Sequence, residues 1–281
     1  MLEVLSPGPL ATVQDLGRTG YAELGVPRAG ALDGDALRLG NRLVGNPAGA
    51  AGIEFTYGTA RLRARTTLWC ALTGAPGPAT AGGRPAPYGI GFALPAGAEL
   101  VLGAPVAGIR GYLAVAGGVA VTPVLGSRST DTLAGLGPPP LRAGDVLPVG
   151  APAGPPGAVD FTPVSAPGAH LRLRVRFGPR DDWFTAPREL LGRAYTVGEG
   201  DRIGVRLRGP ALARARTGEL PSEGLLAGAV QVPGDGQPLV FLADHPTTGG
   251  YPVVAVVHPA DLGSLAQARP GTTVTFHGSQ R

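Results

Sequence analysis

The most chemically loaded stretch of the chain is Asp244-His245-Pro246-Thr247-Thr248-Gly249-Gly250-Tyr251-Pro252. It sets a carboxylate, an imidazole, two hydroxyls and a phenol between two apolar runs, Leu239–Ala243 and Val253–Val257. Both runs are rich in β-branched residues and predict strands. A hairpin turns in two to five residues; nine are spent here. A polar loop held between rigid strands is how folds aim reactive side chains. The stretch is therefore read as a site-forming loop, with His245, Thr247, Thr248 and Tyr251 as its working side chains.

Three further stretches carry polar residues that turns alone do not need. Thr12–Asp33 contains Asp15, Arg18 and Arg28 in a long, glycine-punctuated run without a helical or strand period. Such runs are uncommon in compact domains unless they work. Val124–Asp131 offers Ser127, Arg128, Ser129 and Thr130 as an anion cradle of hydroxyls and backbone amides. It is not a nucleophile elbow, which needs Gly-x-Ser-x-Gly. In Glu199–Pro238, Asp201, Arg202, Glu223, Gln231 and Gln237 stand among turns. An arginine beside short strand ends can grip a carboxylate through two bonds. Amide side chains can read an amide-like substrate through paired donors and acceptors.

The elements that must position these residues are mainly β, with a few short helices. Glycine and proline, 47 and 30 residues, exceed a quarter of the 281, yet 43% of the chain is hydrophobic and arrives in short periodic runs. That pattern fits a turn-rich β fold rather than disorder. Strands are predicted over 61–72, 99–102, 110–116, 170–177, 203–207, 230–232 and 272–276, besides the two runs flanking the polar loop. Helices are predicted over 33–47, capped by Asp33 with Gly45 as its stop, and more weakly over 181–192 and 258–271. Leu94–Pro105 and Leu141–Pro152 share Leu-x-Ala-Gly-x-x-Leu-x-x-Gly-Ala-Pro, a turn followed by a strand, and Ala268–Phe276 has the same form. The Pro/Gly/Ala-rich stretch 150–169 suggests a boundary between subdomains 1–155 and 156–281.

Composition narrows the chemistry further. All 24 basic residues are arginine. Without lysine these residues offer no biotinyl attachment, Schiff base or P-loop. A net charge of +4 lacks the broad basic, aromatic-studded patch that nucleic acid requires. Arg172, Arg174 and Arg176 on one strand face read as solvated. The one cysteine, Cys70, lies in an apolar run and reads as a buried structural thiol. His170, His245, His258 and His277 show no metal-binding spacing, so no metal is expected. The N-terminus has no basic region of the signal-peptide kind, and Tyr112–Gly126 is too short and glycine-rich to span a bilayer. A soluble, cytoplasmic protein is expected, with no membrane or nucleic-acid partner.

Together the stretches carry a resemblance. "TVQDLGRTGYAELGVPRAGALD", "NRLVGNPAGAAGIEFT", "GYLAVAGGVAVTPVLGSRSTD", "DRIGVRLRGP", "SEGLLAGAVQVPGDGQPLVFLADHPTTGGYP" and "LAQARPG" follow one another across almost the whole chain. In this the sequence resembles the biotin-dependent carboxyltransferase-like family, also called the allophanate hydrolase subunit 2 or kinase-A-inhibitor-antagonist family. The resemblance implies two β-barrel-like subdomains, the C-terminal one cyclophilin-like; the apolar strands and glycines flanking Asp244–Tyr251 place that loop at its mouth. It is strongest toward the C subunit of an ATP-dependent 5-oxoprolinase, which opens a lactam to glutamate and is inactive alone. The implied partners are a companion related to allophanate hydrolase subunit 1, which is the B subunit of 5-oxoprolinase, and a third chain, its A subunit. ATP would be used by the complex, its site not necessarily on this chain; biotin would not be attached to this chain. Two alternatives stay open: the carboxyltransferase component of a biotin-dependent urea or amide carboxylase or allophanate hydrolase system, and a regulatory module that antagonises a kinase-inhibitor partner. On the amide-like substrates so implied, Arg202 and Arg18 would meet charge developing on oxygen. Gln231 and Gln237 would orient the amide, and His245 would move protons. Asp15, Arg28, Asp201, Glu223, Thr247, Thr248 and Tyr251 would line the site.

Overall fold

A computed structural model describes residues 1–156, 162–163, 168–218 and 220–278. The chain forms two compact units, Met1–Arg18 with Ala29–Pro167, and Thr19–Arg28 with Gly168–Arg281. The sequence boundary at 155/156 does not register that residues 19–28 group with the C-terminal unit.

The first unit is built from two antiparallel sheets. One runs in the order 146–147, 2–6, 61–64, 99–102, 79–81, 84–85; the other runs 10–14, 52–56, 110–115, 68–74, 91–94. The apolar run 61–72 is thus two strands rather than the predicted one. Arg65, Thr66 and Thr67 break it, and its halves join different sheets. Leu2, Val4, Ile53, Phe55, Leu62, Cys70, Leu72, Leu100 and Leu113 make a dry core. Each such apolar side chain contributes about 1.5–3 kcal/mol relative to exposure. Burial pushes the Cys70 thiol up to about 12. A thiol that holds its proton does not attack. Iodoacetamide at pH 8 should therefore leave the folded chain unlabelled and modify Cys70 only after denaturation. Labelling at the rate of a free thiol would show the core to be open.

Helix α1, Gly34–Leu43, packs on strands 68–74 and 110–115. Asp33 caps it, its side chain accepting from the Ala36 amide at 3.1 Å. Ala36, Leu37, Gly40, Leu43 and Val44, the predicted apolar face, are all buried. The shared turns are also real. Gly97, Gly144 and Gly271 have φ of 80°, 94° and 89°, a region glycine enters without steric cost, and a strand follows each.

The second unit contains a closed barrel of seven strands, in the order 170–177, 253–257, 229–231, 239–241, 204–208, 194–200, 273–278 and back to the first. Closure pairs 170–177 with 273–278 in parallel, the other barrel contacts being antiparallel. Strand 170–177 alternates strictly, with Leu171, Leu173 and Val175 inward and Arg172, Arg174 and Arg176 outward. Helix α2, Pro259–Ala266, begins with proline at its first position, where no amide is needed. The predicted helix over 181–192 is instead two 3-10 turns, Asp181–Trp183 and Pro187–Leu190. Pro187 supplies no amide to continue a helix through it. Among the described residues no helix is long and apolar enough to cross a membrane.

Candidate functional site

The polar loop lies in the barrel unit and is anchored at its first residue. Asp244 is fully buried and takes two bonds from Arg202, Nε to Oδ2 and Nη2 to Oδ1, both 2.9 Å. The Asp244 amide donates to the Arg202 carbonyl at 3.0 Å, closing a ring between the strand ends. Buried charges persist only when paired this fully. Arg202 thus spends two of its nitrogens on a protein carboxylate, which makes it the post on which the loop turns.

His245 follows directly and is 6% exposed. Its Nδ1 lies 2.7 Å from the Pro246 carbonyl. A carbonyl only accepts, so Nδ1 carries a proton, and in the neutral ring Nε2 is then the nitrogen with the lone pair. The ring packs near Phe241, centroids 6.3 Å apart. The loop is not structureless beyond this point. Thr248–Gly249 pairs with Glu223–Gly224 as a two-stranded ribbon, and the Thr247 carbonyl accepts from the Leu225 amide at 2.8 Å. Thr248 and Tyr251 are exposed, Tyr251 at 52%. Gly25 of segment 19–28 comes close: a Cβ there would stand 4.0 Å from Thr247 Oγ1.

Gln231 lies under the ribbon, buried, its Nε2 donating to the Tyr251 carbonyl at 2.9 Å. A Cβ on Gly249 would stand 2.8 Å from that nitrogen and 2.7 Å from Leu225 Cδ1. A larger residue there would have to push the Gln231 amide and Leu225 side chain aside. Glu223 is held by Arg180, an arginine that sequence reasoning did not select, through two bonds. That guanidinium, donating to it, holds the Glu223 carboxyl below the usual carboxylate range.

The structure thus gathers Arg202, Glu223, Gln231, His245, Thr247, Thr248 and Tyr251 along one loop and its ribbon. Others are used differently. Gln237 is tied to Gly209, its Oε1 accepting from the amide at 2.8 Å and its Nε2 donating to the carbonyl at 3.1 Å. Asp201 accepts from the Ile203 and Gly204 amides and shapes a turn. Arg28 is exposed in segment 19–28.

Asp15 and Arg18 lie in the first unit, within a different construction. The anticipated hydroxyl cradle of Val124–Asp131 exists, but its anion is the protein's own. Asp15 takes bonds from Ser127 Oγ at 2.6 Å, Ser129 Oγ at 2.5 Å, the Arg128 amide at 2.6 Å and the Gly17 amide at 2.8 Å. Arg18, 2% exposed, donates to the Ser129 carbonyl at 2.5 Å and lies 3.9 Å from Asp131. Asp15→Ala strands four donors at once, two on buried serines and two on half-buried backbone amides. Since a bond to a charged group contributes about 1.5–3 kcal/mol net, the first unit should lose roughly 3 kcal/mol or more in urea unfolding. A loss below 1 kcal/mol would show the carboxylate to be dispensable. A second buried group escaped the sequence reading: Tyr112 donates to Glu54 at 2.7 Å and accepts from the Asp33 amide at 2.8 Å. Burial, with the Glu54 charge next, pushes that phenol well above its ordinary value. Its members, separated by 58 and 79 positions, give no local signal.

Compared with known families, residues 24–278 match the carboxyltransferase domain, subdomain A and B. The chain belongs to that family. Among its relatives, the 5-oxoprolinase C subunit of Escherichia coli is 39% identical, across 98% of this chain and 90% of its own. That of Haemophilus influenzae is 33% identical with the same coverage. The urea amidolyase of Saccharomyces cerevisiae is 31% identical over 98% of this chain but 16% of its own length. Among solved structures, TTHA0988 superposes with a TM-score of 0.89 at 42% identity, covering 98% of this chain. The chain spans only about half of that protein, 55%. The Kluyveromyces lactis urea amidolyase gives 0.91 at 30% identity, over 99% of this chain and 19% of its own. These family structures share the mainly β architecture. Among the described residues, no group of three or more His, Cys, Asp or Glu is placed to hold a metal ion.

Proposed function

We propose that this carboxyltransferase-family chain is the C subunit of an ATP-dependent 5-oxoprolinase, helping to open the lactam 5-oxoproline to glutamate. The observation that carries the reading is the match to two bacterial C subunits over 98% of this chain and 90% of each of theirs. The loop geometry supports it chemically. Opening a lactam adds water to the carbonyl, breaks the C–N bond and places a proton on the departing nitrogen. His245, with Nδ1 fixed and Nε2 free to accept, is suited to take the proton from water and return it to nitrogen. Thr247, Thr248 and Tyr251 form the surface that would orient the amide; Gln231, buried and bonded to the Tyr251 carbonyl, acts with Arg202 and Asp244 as a positioning residue. ATP hydrolysis supplies driving force for the complex. The lysine-free chain offers no P-loop, and the nucleotide used by the complex need not bind to this chain.

The lower identities to urea amidolyase, over a small part of its length, support a carboxyltransferase component less well. Co-expression with the genomic neighbours separates the two. ATP-dependent loss of 5-oxoproline should require this chain together with its partners, and the purified chain alone should turn over nothing. Robust turnover by the chain alone would end the reading of it as one component of a complex. Urea-dependent carboxylation with a biotinyl protein, without lactam turnover, would replace it by the alternative.

A further inference from the structure

The outer face of barrel strand 170–177 is not uniformly a solvated stripe. Arg174 holds Asp261 through bonds of 2.6 and 3.0 Å, and Arg172 donates to His277 Nε2 at 3.2 Å. Arg176 is exposed and has no partner among the described residues. It lines a groove of about 1090 Å³ whose walls also include Phe177, Arg188, Leu191, Val256 and His258. Arg188 lies over the Phe177 ring, 5.5 Å from its centroid. That cation–π contact holds the guanidinium in place without neutralising it.

Among the described residues no carboxylate lines the groove. Of the acids on the adjoining elements, Asp261 is held by Arg174 and Glu189 by Arg193, while Asp181 and Asp182, on the turn after Pro179, do not line the groove. Elsewhere in this unit Arg180, Arg206 and Arg216 each hold an acid. Two guanidiniums without acids, lining one groove, repel each other unless an anion joins them. The remaining wall is apolar or aromatic.

We propose that this groove is a binding site for a small organic anion. Its carboxylate or phosphate would lie between Arg176 and Arg188, and its apolar body against Phe177, Leu191 and Val256. No residue of the Asp244–Tyr251 loop lines the groove, so the site is separate from the one proposed for the lactam and does not depend on that reading.

Titration calorimetry on the full chain at low salt tests it with three probes: phenyl phosphate, phenylacetate and neutral benzyl alcohol. At least one anion should bind with a Kd of about 1 mM or tighter, with benzyl alcohol undetectable. Arg176→Gln with Arg188→Gln should weaken the anion at least tenfold, or about 1.4 kcal/mol. Both side chains are exposed, so the variant should keep the wild-type melting temperature. Arg208→Gln, on an exposed arginine outside the groove, should change nothing. Phenyl phosphate alone binding identifies a phosphate ligand, phenylacetate alone a carboxylate ligand, and both an oxyanion site open to either. The proposal is overturned if neither anion binds, if the double variant keeps its affinity, or if Arg208→Gln weakens binding as much.

Discussion

His245→Ala, introduced into the co-expressed complex, should lower 5-oxoproline turnover about 100-fold, or roughly 2.7 kcal/mol of transition-state stabilisation. The argument rests on geometry. The Pro246 carbonyl, 2.7 Å from Nδ1, fixes the tautomer that leaves Nε2 as a base. Anchoring at Asp244 and the ribbon at Thr248–Gly249 hold the backbone on either side. Removing the ring removes a proton carrier and its packing against Phe241 inside the barrel unit, a local loss that should leave the complex assembling as before on size-exclusion chromatography. The loss should fall on kcat with KM nearly unchanged, because the imidazole acts in the transition state rather than in ground-state binding. Thr248→Ala, at an exposed position, should chiefly raise KM. If both variants assemble normally and turn over at near wild-type rates, the loop is structural and the site lies elsewhere.

The second large effect is on stability. Asp244→Ala leaves the Arg202 guanidinium, 2% exposed, without its carboxylate. Breaking a buried pair by removing one partner costs about 3–5 kcal/mol. The barrel unit should lose that much in denaturant unfolding. Its own probe is available: the chain has two tryptophans, and Trp183 lies in the barrel unit whereas Trp69 lies in the other. In a Trp69→Phe background, fluorescence reports the barrel alone. The double variant Arg202→Met with Asp244→Leu should recover most of the lost stability, since an apolar pair of similar volume avoids the desolvation cost. It should not recover turnover, because the loop then lacks the bonds that aim it. Equal stability of Asp244→Ala and the parent would show that the pair is solvated. Recovered turnover in the double variant would remove Arg202 and Asp244 from the positioning role.

Much of this protein is legible in its sequence because the signals involved are local. Asp33 and the spacing of Ala36, Leu37, Gly40 and Leu43 specify α1 within one short segment. The turn glycines at 97, 144 and 271 announce their strands, and alternation of Leu171, Leu173 and Val175 with three arginines announces a half-buried one. The order of its motifs carries the family. What the sequence could not show is which charge meets which. Arg202 and Asp244 are 42 positions apart, and Asp15 reaches Ser127 and Ser129 across 112 and 114. A lone arginine or a serine-rich turn looks the same in sequence whether its partner is a substrate or a distant carboxylate of the same chain. Only the pairing of strand 204–208 with 239–241 brings Arg202 to Asp244. Only pairing of the first unit's strands brings Asp15 to the hydroxyls that seemed to await a ligand. The run 61–72 has one apolar period but serves two sheets, because hydrogen-bond partners, not periodicity, decide where a strand belongs. The residue types were set by the sequence; which of them remain free for chemistry was decided by tertiary pairing, since a buried charge must be neutralised by whatever the fold brings within reach.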